Sequence, residues 1–292
     1  MAIRYSEAGH TIYHGDAIKV LKSIEKESVD LIFADPPYNI GKDFDGTHDR
    51  VEEEEYFTWC WTWLDECHRI LKPNGSFYLM NSTQNMPRID VACRQQFEIL
   101  SRIVWAYDSS GVQARKFFGS LYEPILHMVK DAKSFTFNAD DIRVEAKTGA
   151  KRGLIDYRKN PPQPYNTTKV PGNVWEFPRV RYLMDEYENH PSQKPEALLE
   201  RVIRASSNPG DLVMDPFGGS FSTGAVAKKL GRQSISIEQS ETYVKAGLRR
   251  IGIASHYPPA DLAKQKVRKT KNLSKNQRTK DLVKQSEFQL EL

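Results

Sequence analysis

The segment DLVMDPFGGSFSTGAVAKKLGRQSISIE, residues 211 to 238, constrains the fold more than any other. It reads as an apolar strand, a glycine turn, a helix-spaced stretch, a second apolar strand, and then an acid, Glu238, 23 residues beyond Asp215. Two strands joined through a helix lie parallel, and parallel strands are buried on both faces. An α/β domain is required. Such a unit also makes a nucleoside site: the glycines let the backbone approach a ligand, and an acid ending the second strand accepts from ribose hydroxyls. The turn lacks the GxGxxG of a dinucleotide site. Asp215 at its mouth would repel a pyrophosphate, so a ligand with a positive centre fits better.

The same alternation runs through most of the 292 residues. We expect strands at TIYHGD (11–16), VDLIFAD (29–35), SFYLMN (76–81), ILSRIVWAYD and EPILHMVK. We expect helices at AIKVLKSI, from Glu53 to Lys72, near Pro87 to Phe97, and at KPEALLERVIRASS and SETYVKAGLRRIG. In the Glu53 helix, Tyr56, Phe57, Cys60, Trp63, Leu64, Cys67 and Leu71 fall on one side. Between Arg143 and Tyr182 the pattern fails: nine Lys/Arg stand against three acids, with five prolines and five aromatics. That stretch reads as an insertion.

VDLIFADPPYNIG, residues 29 to 41, holds the second chemical feature. The strand delivers Asp35 to the carboxyl edge of the sheet, where open α/β proteins bind ligands. Pro36 and Pro37 fix an extended turn and offer only carbonyl acceptors. The Asp35 carboxylate and the Pro36 carbonyl are then two neighbouring acceptors, suited to both N–H bonds of an NH₂ group. An amine held this way is drawn toward tetrahedral geometry, with its lone pair free for an electrophile. Tyr38 supplies a ring on which a base can stack, worth about 1–3 kcal/mol.

DPPY ahead of DPFGGSFST resembles the amino-methylating DNA methyltransferases of the β arrangement, in which the catalytic motif precedes the cofactor loop. GNVWEFPR (172–179) and NHPSQKP (189–195) also resemble that family's signatures. The resemblance covers about residues 11 to 254 and is closest to the solitary adenine methyltransferases of enteric bacteria. It implies a Rossmann-like methyltransferase sheet, S-adenosylmethionine as cofactor with S-adenosylhomocysteine as product, no metal, and an adenine flipped from double-stranded DNA as substrate. Asp35, Pro36, Pro37 and Tyr38 match the catalytic motif; Asp215, Phe217, Gly219 and Ser220 match the cofactor loop, and Glu238 the ribose acid. Asp16 matches an acid near the cofactor's adenine, or is the N-cap of the following helix. Lys194 falls in the segment expected over the methionine part of the cofactor. The family usually shows DPFxGSGT, whereas Phe221 stands here at the second loop glycine. A side chain there must point away from the ligand, or the loop must open.

The expected organisation is a catalytic half (1–130), a target-recognition insertion (131–188), a cofactor half (189–254) and a basic tail (255–292). For DNA, the candidates are Arg152, Arg158, Lys159, Arg179 and Arg181, since Arg and Lys suit phosphates and guanine edges. SSGVQARKFFGS (109–120) is a second candidate. Between Lys264 and Lys284 nine Lys/Arg face one acid, Asp281, and this tail is either solvated or a phosphate contact. Cytosine N4 methylation would use the same amine geometry, though with Ser more often ahead of PPY. Cytosine C5 methylation needs a cysteine nucleophile, usually after proline, and no Pro-Cys pair occurs. RNA methylation, or a silent DNA-binding protein on this fold, are further alternatives. Cys60, Cys67 and Cys93 form no CxxC and read as buried packing residues. No run approaches the roughly 18 apolar residues of a membrane span, and no secretory leader is read, so a cytoplasmic protein at the bacterial nucleoid is expected. The resemblance implies a homodimer and, in some members, a restriction endonuclease partner; the sequence shows neither.

Overall fold

A computed structural model of the chain describes residues 2–107, 115–147 and 152–253. The basic tail and residues 109–114 of the 109–120 candidate lie outside the described residues. All described residues fall in one unit, Met1–His256.

The core is a nine-stranded sheet. Its strands are β1 (Ile3–Glu7), β2 (His10–His14), β3 (Val29–Ala34), β4 (Leu71–Met80), β5 (Glu98–Ala106), β6 (Tyr122–Val129), β7 (Val174–Glu176), β8 (Leu212–Asp215) and β9 (Gln233–Glu238). Their order across the sheet is β1-β2-β9-β8-β3-β4-β6-β5-β7. The strands from β2 to β4 in that order run parallel, and β6 is antiparallel to both its neighbours, β4 and β5.

The two central strands carry the two motifs. Leu31 and Ile32 of β3 pair with Val213 and Met214 of β8. From β3 the chain moves to β4 on one side, and from β8 to β9 on the other, so the order reverses between them. A crevice opens at the carboxyl ends of strands flanking such a reversal. The register sets the Asp35 and Asp215 turns side by side there. Because β6 runs the opposite way, its first residues also reach this edge: Met80 pairs with Ile125, and Glu123 lies just beyond.

Helices cover both faces. On one lie α1 (Ala17–Leu21), α2 (Glu53–Ile70) and α3 (Met86–Cys93), whose apolar residues share a core with Ile32, Phe77 and Met214. On the other, α4 (Glu196–Ser206) and α5 (Ser222–Lys229) pack on Leu31, Phe33 and Val213, while α6 (Glu241–Ile251) closes against α5 and β2. Helix α2 buries the expected stripe, with Ile70 as its last member and Leu71 already in β4. Glu52 caps it by accepting from the N–H groups of Glu54 and Glu55, and three acids in its first turn suit the positive end of the helix dipole. Each fully buried large apolar side chain, such as Phe77, contributes about 1.5–3 kcal/mol. Cys60, Cys67 and Cys93 are buried free thiols inside this layer, Cys60 and Cys93 pushed up by burial to about 12.

The insertion is stitched to the core at both ends. Asn138 donates to the carbonyls of Arg204 and Ser207 at the end of α4. At the other end β7, unforeseen from sequence, adds a parallel edge strand to β5, with Trp175 buried beneath Arg201. Between these, among the described residues, two short ladders form, Val144–Glu145 with Thr168–Lys169 and Ile155–Asp156 with Gln163–Pro164.

Candidate active site

Asp35 follows the last residue of β3 and is held on both carboxylate oxygens. Tyr38 donates its hydroxyl to Oδ1 at 2.6 Å, and the Lys194 ammonium lies 2.6 Å from Oδ2. The same two donors meet a second carboxylate, Glu123: the Tyr38 hydroxyl at 3.1 Å and the Lys194 ammonium at 3.5 Å from Oε2. Side-chain exposure is 14% for Asp35, 16% for Glu123 and 6% for Lys194. Burial opposes the Lys194 charge, but Asp35 and Glu123 outweigh it and hold the ammonium above the ordinary lysine value. Burial pushes the Asp35 acid up, and Lys194 pulls against that. The turn behind is pinned from below: Tyr56 donates to the Pro37 carbonyl at 2.8 Å, and Asn85 to the Tyr38 carbonyl at 2.7 Å.

The glycine turn after β8 is shaped by the acids assigned to it. Asp215 accepts from the Phe217 N–H at 3.0 Å and from the Thr223 hydroxyl at 2.6 Å, so both its oxygens hold the loop. Glu238 accepts from the Gly219 N–H at 2.8 Å with one oxygen and from Gln239 and Ser240 with the other. Gly219 has φ +48, and a Cβ there would stand 2.9 Å from Nε2 of His190, so the loop and the NHPSQKP segment approach too closely for a side chain. Phe221 takes φ +58, is fully buried, and turns its ring toward Gly247 of α6. Of the two arrangements open to it, the side chain takes the one that points away from the crevice. Asp16 caps α1 by accepting from the Lys19 N–H at 2.9 Å and also lines the crevice.

These turns enclose a cavity of about 400 Å³ lined by Asp16, Asp35, Lys194, Phe217, Gly219 and Glu238 among others. Its roof was not read from sequence. A hairpin, Asp43–Phe44 with Thr47–His48, turns through Asp45 and Gly46, both at positive φ. Asp-Gly is the strongest short hairpin signal, and it was there to be read. Ser240 donates to Asp45 at 2.6 Å, and Phe44 sits 5.9 Å from the His190 ring, which in turn packs edge-on against Tyr243. Burial first, then Lys194 and Lys42, lowers His190 to about 3, so this wall is a neutral ring.

Three carboxylates around one cavity, Asp35, Asp215 and Glu238, are all pushed up by burial, Asp215 to about 7. A cavity with that surplus suits a cation. It also gives a pH signature, because an acid whose pKa is raised by folding stabilises the fold only while protonated. For Asp215 the contribution is full below its ordinary 3.8 and is lost as pH rises to about 7. Asp215→Asn should therefore reduce the fall in urea midpoint between about pH 4 and about pH 7; an unchanged fall would contradict the assignment.

The DNA candidates do not form one cluster. Arg158 is held by Asp156 through two contacts, at 2.8 and 3.0 Å, and Lys159 reaches Asn166 at 3.4 Å; both line a separate depression with Arg143 and Lys169. Arg152 and Arg181 are exposed. Arg179 stacks 4.9 Å from the ring of Tyr107; Lys42 is lowered by burial first, with a smaller contribution from Arg179. Glu123 was missed because nothing in YEPILHMV marks it.

A family model described as DNA methylase matches residues 29–249. DNA adenine methyltransferase YhdJ of Escherichia coli (strain K12) is 65% identical over 279 residues, 96% of this chain and 95% of its own length. Type II methyltransferase M.HpaI of Haemophilus parainfluenzae is 39% identical over 238 residues, covering 81% and 72%. Among solved structures, the PvuII DNA methyltransferase (cytosine-N4-specific) shares the fold, with TM-score 0.66 at 22% identity over 84% of this chain and 87% of its own. The M1.HpyAVI–SAM complex superposes with TM-score 0.55 at 26% identity over 82% and 98%. No described helix is long and apolar enough to cross a membrane. With the amine-type turn and the glycine turn on adjacent central strands, and a family match running from one through the other, the chain belongs to the DNA methylase family.

Proposed function

We propose that this protein transfers the methyl group of S-adenosylmethionine to N6 of an adenine flipped out of double-stranded DNA. The observation that carries the reading is that Asp35, Pro36 and Pro37 of the Asp35-Pro36-Pro37-Tyr38 turn line one cavity together with the glycine turn. The relative named as a DNA adenine methyltransferase, at 65% identity, favours adenine over cytosine. The PvuII cytosine-N4 likeness, at 22% identity, speaks for fold alone.

The residues fit the cofactor: a cavity rich in carboxylates, an acid at the end of β9 and a glycine that admits no Cβ. Glu238 and Asp16 would hold the nucleoside, and the Phe217-Gly219-Ser220 loop would lie against it, with Asp215 stabilising that loop. When bound, S-adenosylmethionine supplies an electrophilic methyl on a sulfonium. Asp35 and the Pro36 carbonyl accept from the two N–H bonds of the target amine and orient its lone pair. The Asp35 carboxylate favours the positive charge that grows on the amine, in a site where water screens it little. Flipping the base costs a few kcal/mol, offset in part by stacking on Tyr38.

In this reading residues 1–130 and 189–254 are two halves of one catalytic domain, 131–188 recognise the target, and 255–292 form a basic tail. Arg179 contacts DNA beside the catalytic turn; Arg152, Arg158, Lys159 and Arg181 serve the phosphates. The protein acts as a homodimer on the bacterial nucleoid, which a mass measurement in solution and localisation of a tagged chain test. The reaction itself is tested by expressing the chain in a host lacking adenine methylation and sequencing its DNA by polymerase kinetics. Modified adenines at one recurring sequence are expected; unmodified DNA from cells holding the folded protein would refute the reading.

A further inference from the structure

Each oxygen of the carboxylate that the catalytic turn should offer to substrate already holds a donor, a hydroxyl on one and an ammonium on the other. Oδ1 of Asp35 takes the Tyr38 hydroxyl and Oδ2 takes the Lys194 ammonium. Each oxygen can accept a second hydrogen bond, but of the two donors Lys194 is the one that lines the cavity with Asp35, so an amine entering through the cavity competes with its ammonium. Both donors have the same alternative acceptor, Oε2 of Glu123, at 3.1 Å from the hydroxyl and 3.5 Å from the ammonium. The Lys194 ammonium also lies 3.2 Å from the carbonyl of Ser192 and 5.6 Å from the centre of the Tyr38 ring. A buried ammonium deprived of its carboxylate is strongly disfavoured, so without Glu123 the lysine would not release Asp35. With Glu123, a movement of about 1 Å completes the transfer, since ion pairs close at about 2.7–2.9 Å.

We propose that Lys194 stands in for the substrate's amine in the free protein, and that Glu123 receives its ammonium when the target base takes Asp35. The inference rests on the reading that Asp35 grips an exocyclic amine. It makes Glu123 a positioning residue and gives the pocket a chemical filter. A base that brings no N–H donor, such as thymine at its 4-position, cannot replace the ammonium and leaves Asp35 closed. The arrangement differs from an ordinary structural ion pair in its surplus: two carboxylates share one ammonium, and Asp35 and Lys194 both line the cavity.

The test is a binding measurement on the full chain with S-adenosylhomocysteine present, using duplexes with the mapped target sequence. The target position carries either adenine or purine, which lacks the amine. The parent protein should bind adenine about 10-fold more tightly than purine, the worth of the amine's hydrogen bonds. Glu123→Gln should close that gap to about 2-fold, because Lys194 now stays on Asp35. The double variant Glu123→Gln with Lys194→Met should reopen it, and Glu123→Asp should largely keep it. A Glu123→Gln protein that weakens both duplexes alike, or keeps the gap, would overturn the proposal, as would a folded double variant whose gap stays closed. Methylated adenine from the parent together with either of those results would remove only this inference. Absence of adenine methylation in the parent would remove the proposed function and this inference with it.

Discussion

Asp35→Ala should lower the single-turnover rate of methyl transfer to DNA by about 10²–10³-fold, the scale seen when one preorganised group facing developing charge is removed. Binding of S-adenosylmethionine should survive. The carboxylate lies at the β3 side of the cavity, while the Gly219 loop is braced from the β9 side by Glu238. Lys194 keeps a partner in the variant, because Glu123 is already 3.5 Å away, so the fold should persist. Calorimetry with the cofactor and rapid-quench methylation on the same preparation separate the two effects. Retained turnover would sink the amine-grip assignment, and loss of cofactor binding with it would place Asp35 on the cofactor instead.

The second large effect concerns the departure from the family pattern. Phe221 sits in the left-handed region at φ +58, which costs a non-glycine residue about 1–2 kcal/mol. Its ring is fully buried, and a Cβ on Gly247 would meet it at 2.5 Å, so the phenyl group fills the space between α5 and α6 that Gly247 leaves. Removing a buried phenylalanine side chain costs about 3–5 kcal/mol. Phe221→Gly should therefore destabilise the protein by about 2–4 kcal/mol even though the backbone strain is relieved. Cofactor affinity should be unchanged or slightly improved, since the ring does not line the cavity and the Glu238 to Gly219 bond remains. A lowered urea midpoint with an unchanged slope, beside an unaltered calorimetric affinity, is the expected pair of results. A variant as stable as its parent would show that the ring does not hold the helices together. A large loss of affinity would show that the ring supports the loop. Gly247→Ala provides the reciprocal case: it should cost about 1–3 kcal/mol in the parent and little once the ring is gone.

What the sequence made legible is local in the chain. Asp35 and Tyr38 stand three residues apart on one turn, and Glu238 ends the strand after the glycine loop, so spacing alone places each beside its motif. The long amphipathic helix was legible for the same reason, because a 3.6-residue period is written into consecutive residues. What stayed hidden depends on pairing across the sheet. Glu123 reaches the site only because β6 runs antiparallel to β4, and no feature of its own segment announces that direction. Strand β7 is three residues inside a proline-rich insertion and is a strand because β5 offers an edge for it. Asp215 was legible as a residue of the loop, but its role there, bonding Phe217 and Thr223, needed the turn's geometry. Lys194 lines the cavity, as its place in NHPSQKP leads one to expect, but the pairing of its ammonium with Asp35 of the other motif is a contact between distant segments that spacing does not announce.

The most direct test of the central claim is to incubate the purified protein with methyl-labelled S-adenosylmethionine and duplex DNA, digest the DNA to nucleosides, and identify the labelled one. The account predicts label in N6-methyl-deoxyadenosine. Label in N4-methyl-deoxycytidine, or a folded, cofactor-binding protein that leaves DNA unlabelled, would contradict it.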